Sequence, residues 1–219
     1  MNIGLLKLKD FNIKDSDKRI FKYISPGRLS QIKRYRNERD RKTCLYSYLL
    51  AVMMIHQHTA SKILPDFVIR RYGKPCVESE TVFFNISHSG SLIACATSKH
   101  AELGIDVELI RKAPMQIIRK CFTKNEINIA DSLAEADLNK FFFKTWTRKE
   151  AYLKYRGTGI NSNLNEIDTL KAIGNTTFDS FEYMNYSCSL CSEGKEKVHK
   201  REYTEKIILA FINNLRRKA

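Results

Sequence analysis

The sequence predicts an α+β fold made of two halves of similar content. Three observations carry that prediction. The chain has 219 residues, 43% hydrophobic and 28% charged, which suits one large or two small domains with a sizeable buried core. Helical and strand-like patterns follow one another in the order ααβββ and then βααβββ. The longest apolar run, Leu49 to Ile55, is far short of the roughly 20 residues a bilayer span needs. Residues 1–103 form the first half and 104–219 the second, with Arg111 to Pro114 reading as a linker near the change.

Residues 1–8 read as a strand. Residues 26–59 read as one or two helices, basic at first (Arg28, Lys33, Arg34, Arg36, Arg39, Arg41, Lys42) and apolar from Cys44 to Ile55. Short strands follow at 68–71, 81–86, 92–97 and 103–108. The pattern then turns helical. Thr123-Lys124-Asn125-Glu126 has the form of a capping box, in which the Thr hydroxyl and the Glu carboxylate each satisfy a backbone N–H of the other. A long helix over about 138–155 ends at Gly157 and Gly159. The rest reads as β: 167–172, 178–183, 187–191 and 206–212, with 192–205 as a charged exposed loop. On this pattern 92–97 and 207–212 are corresponding strands.

Lys plus Arg total 38 against 24 Asp plus Glu, a net charge of +14. Such an excess points to an anionic partner: nucleic acid, an acidic protein or a phosphorylated small molecule. The N-terminus mixes Lys7, Lys9 and Asp10 with its apolar residues and shows no signal-peptide core, so a cytoplasmic protein is expected. Of the cysteines, only Cys188 and Cys191 are spaced as C-x-x-C, and no second pair follows at zinc-site spacing. Two hairpin thiols are the expectation.

Three segments carry chemistry. In Leu103-Gly104-Ile105-Asp106-Val107-Glu108 the strand period puts the apolar residues on one face and Gly104, Asp106 and Glu108 on the other. Adjacent carboxylates repel unless a cation lies between them, and Mg²⁺ takes one or two carboxylates with phosphates and water. Gly104 should leave open space beside them. The alternative is a solvated polar face. In Phe141 to Lys154 the helical period puts Phe142, Trp146, Lys149 and Leu153 on one stripe, and makes Glu150 and Lys154 neighbours at i and i+4. Either they form a surface pair, or Glu150 serves the same cation as Asp106 and Glu108. The three Phe and the Trp argue for a helix packed in the core with its polar groups aimed at a cleft. In Tyr72-Gly73-Lys74-Pro75-Cys76 and Phe84-Asn85-Ile86-Ser87-His88-Ser89-Gly90 the glycines permit tight turns, and Lys74, His88 and Ser89 are donors for phosphate oxygens.

There is no G-x-x-x-x-G-K-[ST], no G-x-G-x-x-G opening a helix, no G-x-S-x-G and no H-E-x-x-H. Taken together and in this order, the segments resemble the larger, Sfp-type 4′-phosphopantetheinyl transferases. Gly104-Ile105-Asp106-Val107-Glu108 matches that family's G-I/V-D-x-E strand, and Trp146 to Lys154 its W-x-x-K-E-A/S-x-x-K helix. The segments at 72–76, 84–90 and Phe122 to Glu126 match as well, and Ile24-Ser25-Pro26 with its basic sequel is similar.

The resemblance implies two α+β halves related by a pseudo-twofold axis, with the active site in the cleft between them. It implies Mg²⁺ held by Asp106, Glu108 and Glu150. It implies coenzyme A held by Arg28, Lys42, Thr43, Lys74, Ser87, His88, Ser89, Asp106 and Lys154. Glu150 would take the proton from a carrier serine, and Lys149 and Lys154 would stabilise developing charge. The expected partners are apo acyl or peptidyl carrier proteins of nonribosomal peptide, polyketide or fatty-acid synthesis, with no nucleic acid or membrane, and the chain is expected to be a monomer. The carrier contact is placed at Ile117, Ile118 and Phe122, which read equally as core residues. One departure is Gln31, where the family often has a second basic residue; Lys33 and Arg34 are the available substitutes. The rival from another class is a basic nucleic-acid-binding protein or Mg²⁺ nuclease, which accounts for the charge and for Asp106 and Glu108 but not for Trp146 to Lys154.

Overall fold

The computed structural model of the chain describes residues 1–59, 67–69, 73–77, 82–159, 163–194 and 196–215. Tyr72, Thr81 and the end of the expected strand 68–71 fall outside the described residues. The strands are β1 (Asn2–Lys7), β2 (Phe67–Ile69), β3 (Pro75–Val77), β4 (Phe83–Ser89), β5 (Leu92–Ser98), β6 (Leu103–Leu109), β7 (Thr176–Tyr183), β8 (Tyr186–Glu193) and β9 (His199–Tyr203). The helices are α1 (Asp15–Lys18), α2 (Pro26–Arg34), α3 (Glu38–His56), α4 (Met115–Cys121), α5 (Lys124–Ser132), α6 (Glu135–Arg156) and α7 (Glu205–Asn214).

The two halves repeat one connectivity. In the first, β1 leads through α3 to the hairpin β4–β5, and the sheet order is β4-β5-β1; in the second, β6 leads through α6 to β7–β8, and the order is β7-β8-β6. The partner of β5 in this repeat is therefore β8, not residues 207–212.

Apolar alternation decides the layering. Ile3, Leu5, Leu92, Ala94 and Ala96 on one face of the first sheet pack against Leu103, Ile105, Val107, Cys188 and Leu190 on one face of the second. The other face of the first sheet is covered by α3, through Leu45, Leu49 and Val52 against Leu6, Phe84 and Ile93. On the far side α6 lies across β6 and β8. The result is helix, sheet, sheet, helix.

Local signals set the helix ends. Ser25 and Asn37 accept backbone N–H groups of Arg28 and Arg39 at the starts of α2 and α3. Thr123 and Glu126 form the expected capping box, and α6 stops at Gly157 with φ of 62°.

Three expectations for the C-terminal region fail. Residues 206–212 are helical: Thr204 caps the N-terminus, and Ile208 and Ile212, four residues apart and both fully buried, pack onto α3. Their spacing is the helical period, which the run of β-branched residues obscured. Residues 167–172 form no strand; a 3₁₀ turn (Leu164–Glu166) precedes them. The segment 192–205 is not simply a loop. Its β9 pairs in parallel with β1, from Asn2 opposite His199 to Leu6 opposite Tyr203, so the end of the second half, 199–215, returns to the first.

Candidate active site

The site lies where β4 meets the free edge of β6, beneath α6. Gly104 is the residue that lets α6 settle there. A Cβ at this position would stand 2.1 Å from the carbonyl oxygen of Ala151 and 2.4 Å from the amide nitrogen of Tyr155. The expected open space beside Gly104 is thus filled by helix backbone. The close approach brings the α6 side chains over the next residues of that strand face, Asp106 and Glu108.

Asp106 is only 5% exposed. Its Oδ1 accepts from Lys154 Nζ at 2.7 Å and from Ser87 Oγ at 2.8 Å, while its Oδ2 is buried without a partner among the described residues. Lys154 Nζ also donates to Ser87 Oγ at 3.0 Å and to the Ile105 carbonyl at 3.2 Å. Glu108 Oε2 accepts from Ser89 Oγ at 2.6 Å. Lys154 therefore pairs with Asp106, and the solvated i, i+4 pair with Glu150 is not what forms.

Burial first, and then the charge of Asp106, push the Glu150 carboxyl up, with Lys154 opposing and Glu108 adding to the rise. Burial likewise pushes Glu108 up, with the Ser89 hydrogen bond pulling the other way and Asp106 raising it further. Glu108 and Glu150, both disfavoured by the charge of Asp106, together with an Asp106 oxygen that is buried without a partner among the described residues, fit a hard divalent cation. Among the described residues no three His, Cys, Asp or Glu side chains converge closely enough to form a ready metal cage; the serines and Lys154 hold the β6 carboxylates instead.

Two expected site residues are elsewhere. Lys149 is fully buried on the apolar stripe of α6, paired with Glu126 at 2.8 Å and donating to the carbonyls of Leu164 and Ile167. It locks the capping box of α5 to α6 and has no donor left for a substrate. Lys42 is also fully buried, between Asp10 at 2.8 Å and Glu205 at 3.1 Å, so it ties α3 to the chain around β1 and α7.

The others are placed as follows. Lys74 pairs with Glu102 at 2.7 Å. Arg28 lies over the rings of Tyr48 and Phe67 and donates to Gln31 Oε1 at 2.8 Å, beside a groove lined by Ser25, Gly27, Gln31 and Ile69. Gln31 thus orients Arg28, while Lys33 and Arg34 are exposed. Thr43 is buried on α3. His88 is exposed; loss of hydration and the nearby Lys154 hold its imidazole below the usual range. Ile118 and Phe122 are core residues, 0% and 2% exposed, and Ile117 packs against them. Of the two readings of this trio the core one describes Ile118 and Phe122, with the Phe142 ring stacked on Phe122, while Ile117 is half-buried. Cys188 and Cys191 are free and buried, and lie three residues apart on one strand, hence on opposite faces.

Sequence reasoning missed Asn85 as a structural acceptor: its Oδ1 accepts the Ile105 N–H at 2.9 Å. The signal was available in the two-residue period of Asn85, Ser87 and Ser89.

The chain is similar to known proteins of one family. A family model for the 4′-phosphopantetheinyl transferase superfamily matches residues 102–207, and one for the N-terminal part of 4′-phosphopantetheinyl transferases matches 13–100. The 4′-phosphopantetheinyl transferase gsp of Aneurinibacillus migulanus is 31% identical over 197 residues, 80% of this chain and 81% of that protein. The 4′-phosphopantetheinyl transferase Sfp of Bacillus subtilis is 28% identical over 149 residues, 67% of this chain and 66% of that one. AcpT of Escherichia coli is 35% identical over 111 residues, 49% of this chain and 56% of its own length. The chain belongs to the 4′-phosphopantetheinyl transferase family.

Proposed function

We propose that this chain transfers the 4′-phosphopantetheine group of coenzyme A to a serine hydroxyl of apo acyl or peptidyl carrier proteins, with release of 3′,5′-adenosine diphosphate. The observation that carries the reading is the unpartnered buried Oδ2 of Asp106 beside Lys154, at matching positions of both family motifs. Asp106, Glu108 and Glu150 would hold a magnesium ion, which when bound neutralises charge on the pyrophosphate. Lys154 leaves Asp106 for a phosphate oxygen and keeps it oriented. The serine oxygen attacks the pantetheine-side phosphorus, the bond to the departing nucleotide phosphate breaks, and Glu150 takes the serine proton. Arg28 supplies phosphate contact in the first half.

The carriers are those of nonribosomal peptide, polyketide or fatty-acid synthesis, met by a monomer in the cytoplasm. The net charge of +14 favours encounter with anionic coenzyme A and acidic carriers. With Ile118 and Phe122 buried, the apolar surface that α4 and α5 offer is Met115 and Ile129, 41% and 38% exposed. Both walls of the cleft come from one chain, in keeping with a monomer. The test is intact-protein mass spectrometry of apo carriers incubated with the protein, coenzyme A and Mg²⁺. A phosphopantetheine mass increase, lost in EDTA, is expected. No increase across carriers from all three pathways would overturn the reading.

A further inference from the structure

Among the described residues, the edge of β6 that faces away from β8 is not paired with a strand. Its N–H groups are taken by side chains from β4 in a repeating register. Asn85 Oδ1 accepts from Ile105 N at 2.9 Å, Ser87 Oγ from Val107 N at 3.4 Å, and Ser89 Oγ from Leu109 N at 3.1 Å. Three side chains on one face of β4, two residues apart, thus stand in for a strand ladder between the halves.

The two serines do more than Asn85. A hydroxyl has one hydrogen and two acceptor positions. At Ser87 the oxygen receives the Val107 N–H and the Lys154 ammonium, and the hydrogen goes to Asp106 Oδ1. At Ser89 it receives the Leu109 N–H and gives its hydrogen to Glu108 Oε2. The register explains the choice of residue. Asn85 stands opposite Gly104 and Ile105, where the strand face carries no carboxylate, so only an acceptor is needed. The serines stand where Asp106 and Glu108 point.

We infer that Ser87 and Ser89 are positioning residues for the metal site. Each clamps one β6 carboxylate by one oxygen and thereby decides which oxygen remains for a cation. At Asp106 the outcome is visible: Oδ1 holds two donors and Oδ2 none. The inference rests on the proposed transferase reading. It also assigns the serine hydroxyl hydrogens to the carboxylates, where the family resemblance had assigned these residues to coenzyme A.

The probe is Mn²⁺ binding to the full chain, measured by electron paramagnetic resonance of free Mn²⁺ with coenzyme A present and carrier absent, so that no turnover intervenes. Ser89→Ala should weaken Mn²⁺ binding about tenfold or more, the range for losing a partner of a metal-ligating side chain. Ser89→Thr, which keeps the hydroxyl, should restore most of it. Asn85→Ala should lower Tm, since a buried N–H loses its acceptor, and leave Mn²⁺ affinity within about twofold; the margin is small because its partner is backbone alone. Ser87→Ala should behave as Ser89→Ala; if it fails to fold, the partly exposed Ser89 carries the test. Serine variants that match the wild type in Mn²⁺ affinity while losing Tm would overturn the inference and leave the serines as strand-edge acceptors. Wild-type protein that modifies carriers in EDTA, or binds no Mn²⁺, would overturn the metal reading itself.

Discussion

Replacing Lys149 by Met separates a structural lysine from a reacting one. The Lys149 and Glu126 side chains are both 0% exposed and 2.8 Å apart, so the substitution leaves a carboxylate buried without its cation. Breaking such a pair costs about 3–5 kcal/mol. Glu126 keeps three other donors, the Thr123 N–H at 2.8 Å and the Thr169 N–H and hydroxyl at 3.1 Å each, which argues for the lower end. The carbonyls of Leu164 and Ile167 also lose the ammonium, although Leu164 keeps the Ile167 N–H at 3.2 Å, which argues against much less. At ~2–4 °C of Tm per kcal/mol for a chain of this size, a loss of about 3 kcal/mol lowers Tm by roughly 6–12 °C. Glu126→Gln in the same chain should recover part of that loss by removing the orphaned charge. Scanning calorimetry on the two single variants and the double variant gives the coupling, and carrier modification assayed well below Tm gives activity per folded molecule. A Lys149→Met protein with wild-type Tm and collapsed kcat would refute the reasoning and put the ammonium at the reacting phosphate.

Gly104→Ala should prevent α6 from seating, because the new methyl meets helix backbone at 2.1 Å and 2.4 Å; a variant with wild-type Tm by circular dichroism would show that the close approach does not govern the packing. Glu150→Gln should abolish Mg²⁺-dependent turnover yet raise Tm at neutral pH. A carboxyl whose folded pKa is raised lends its full stability below about 4.5, its usual value, and loses it as pH rises through the folded value; the Tm gap between variant and wild type should therefore close as pH is lowered. A gap that widens toward acid would reverse the sign assigned here. Lys154→Ala removes one charge-assisted hydrogen bond to phosphate, about 1.5–3 kcal/mol, so kcat/KM for coenzyme A should fall roughly ten- to a hundredfold at saturating carrier; unchanged coenzyme A kinetics would leave Lys154 as a partner of Asp106 alone.

Much of this molecule follows from local sequence. The strand period of residues 103–108 sorts Ile105 and Val107 into the apolar layer between the sheets and Asp106 and Glu108 onto the opposite face, where Asp106 is nonetheless buried. The capping box at Thr123, the stop at Gly157 and the apolar half of α3 are likewise legible, because each depends on neighbours within one helical turn. Lys149 shares the helical stripe of Phe142, Trp146 and Leu153, and only the family motif points it toward the cleft.

What the sequence alone could not decide depends on partners distant in the chain. Lys42 and Lys149 look like any basic residue on a helix until Asp10, Glu205 and Glu126 come within ion-pair distance, because a buried cation is settled by its counter-ion and not by its spacing. Ile118 and Phe122 become core only when the aromatic rings of α6 cover them. The pairing of β9 with β1 joins residues nearly 200 positions apart, and hydropathy carries no register over that separation. The comb from β4 onto β6 needs both halves in place. Only then do Ser87, Ser89 and Lys154 reach the two carboxylates, because hydrogen bonds near 3 Å are fixed by tertiary packing rather than by composition.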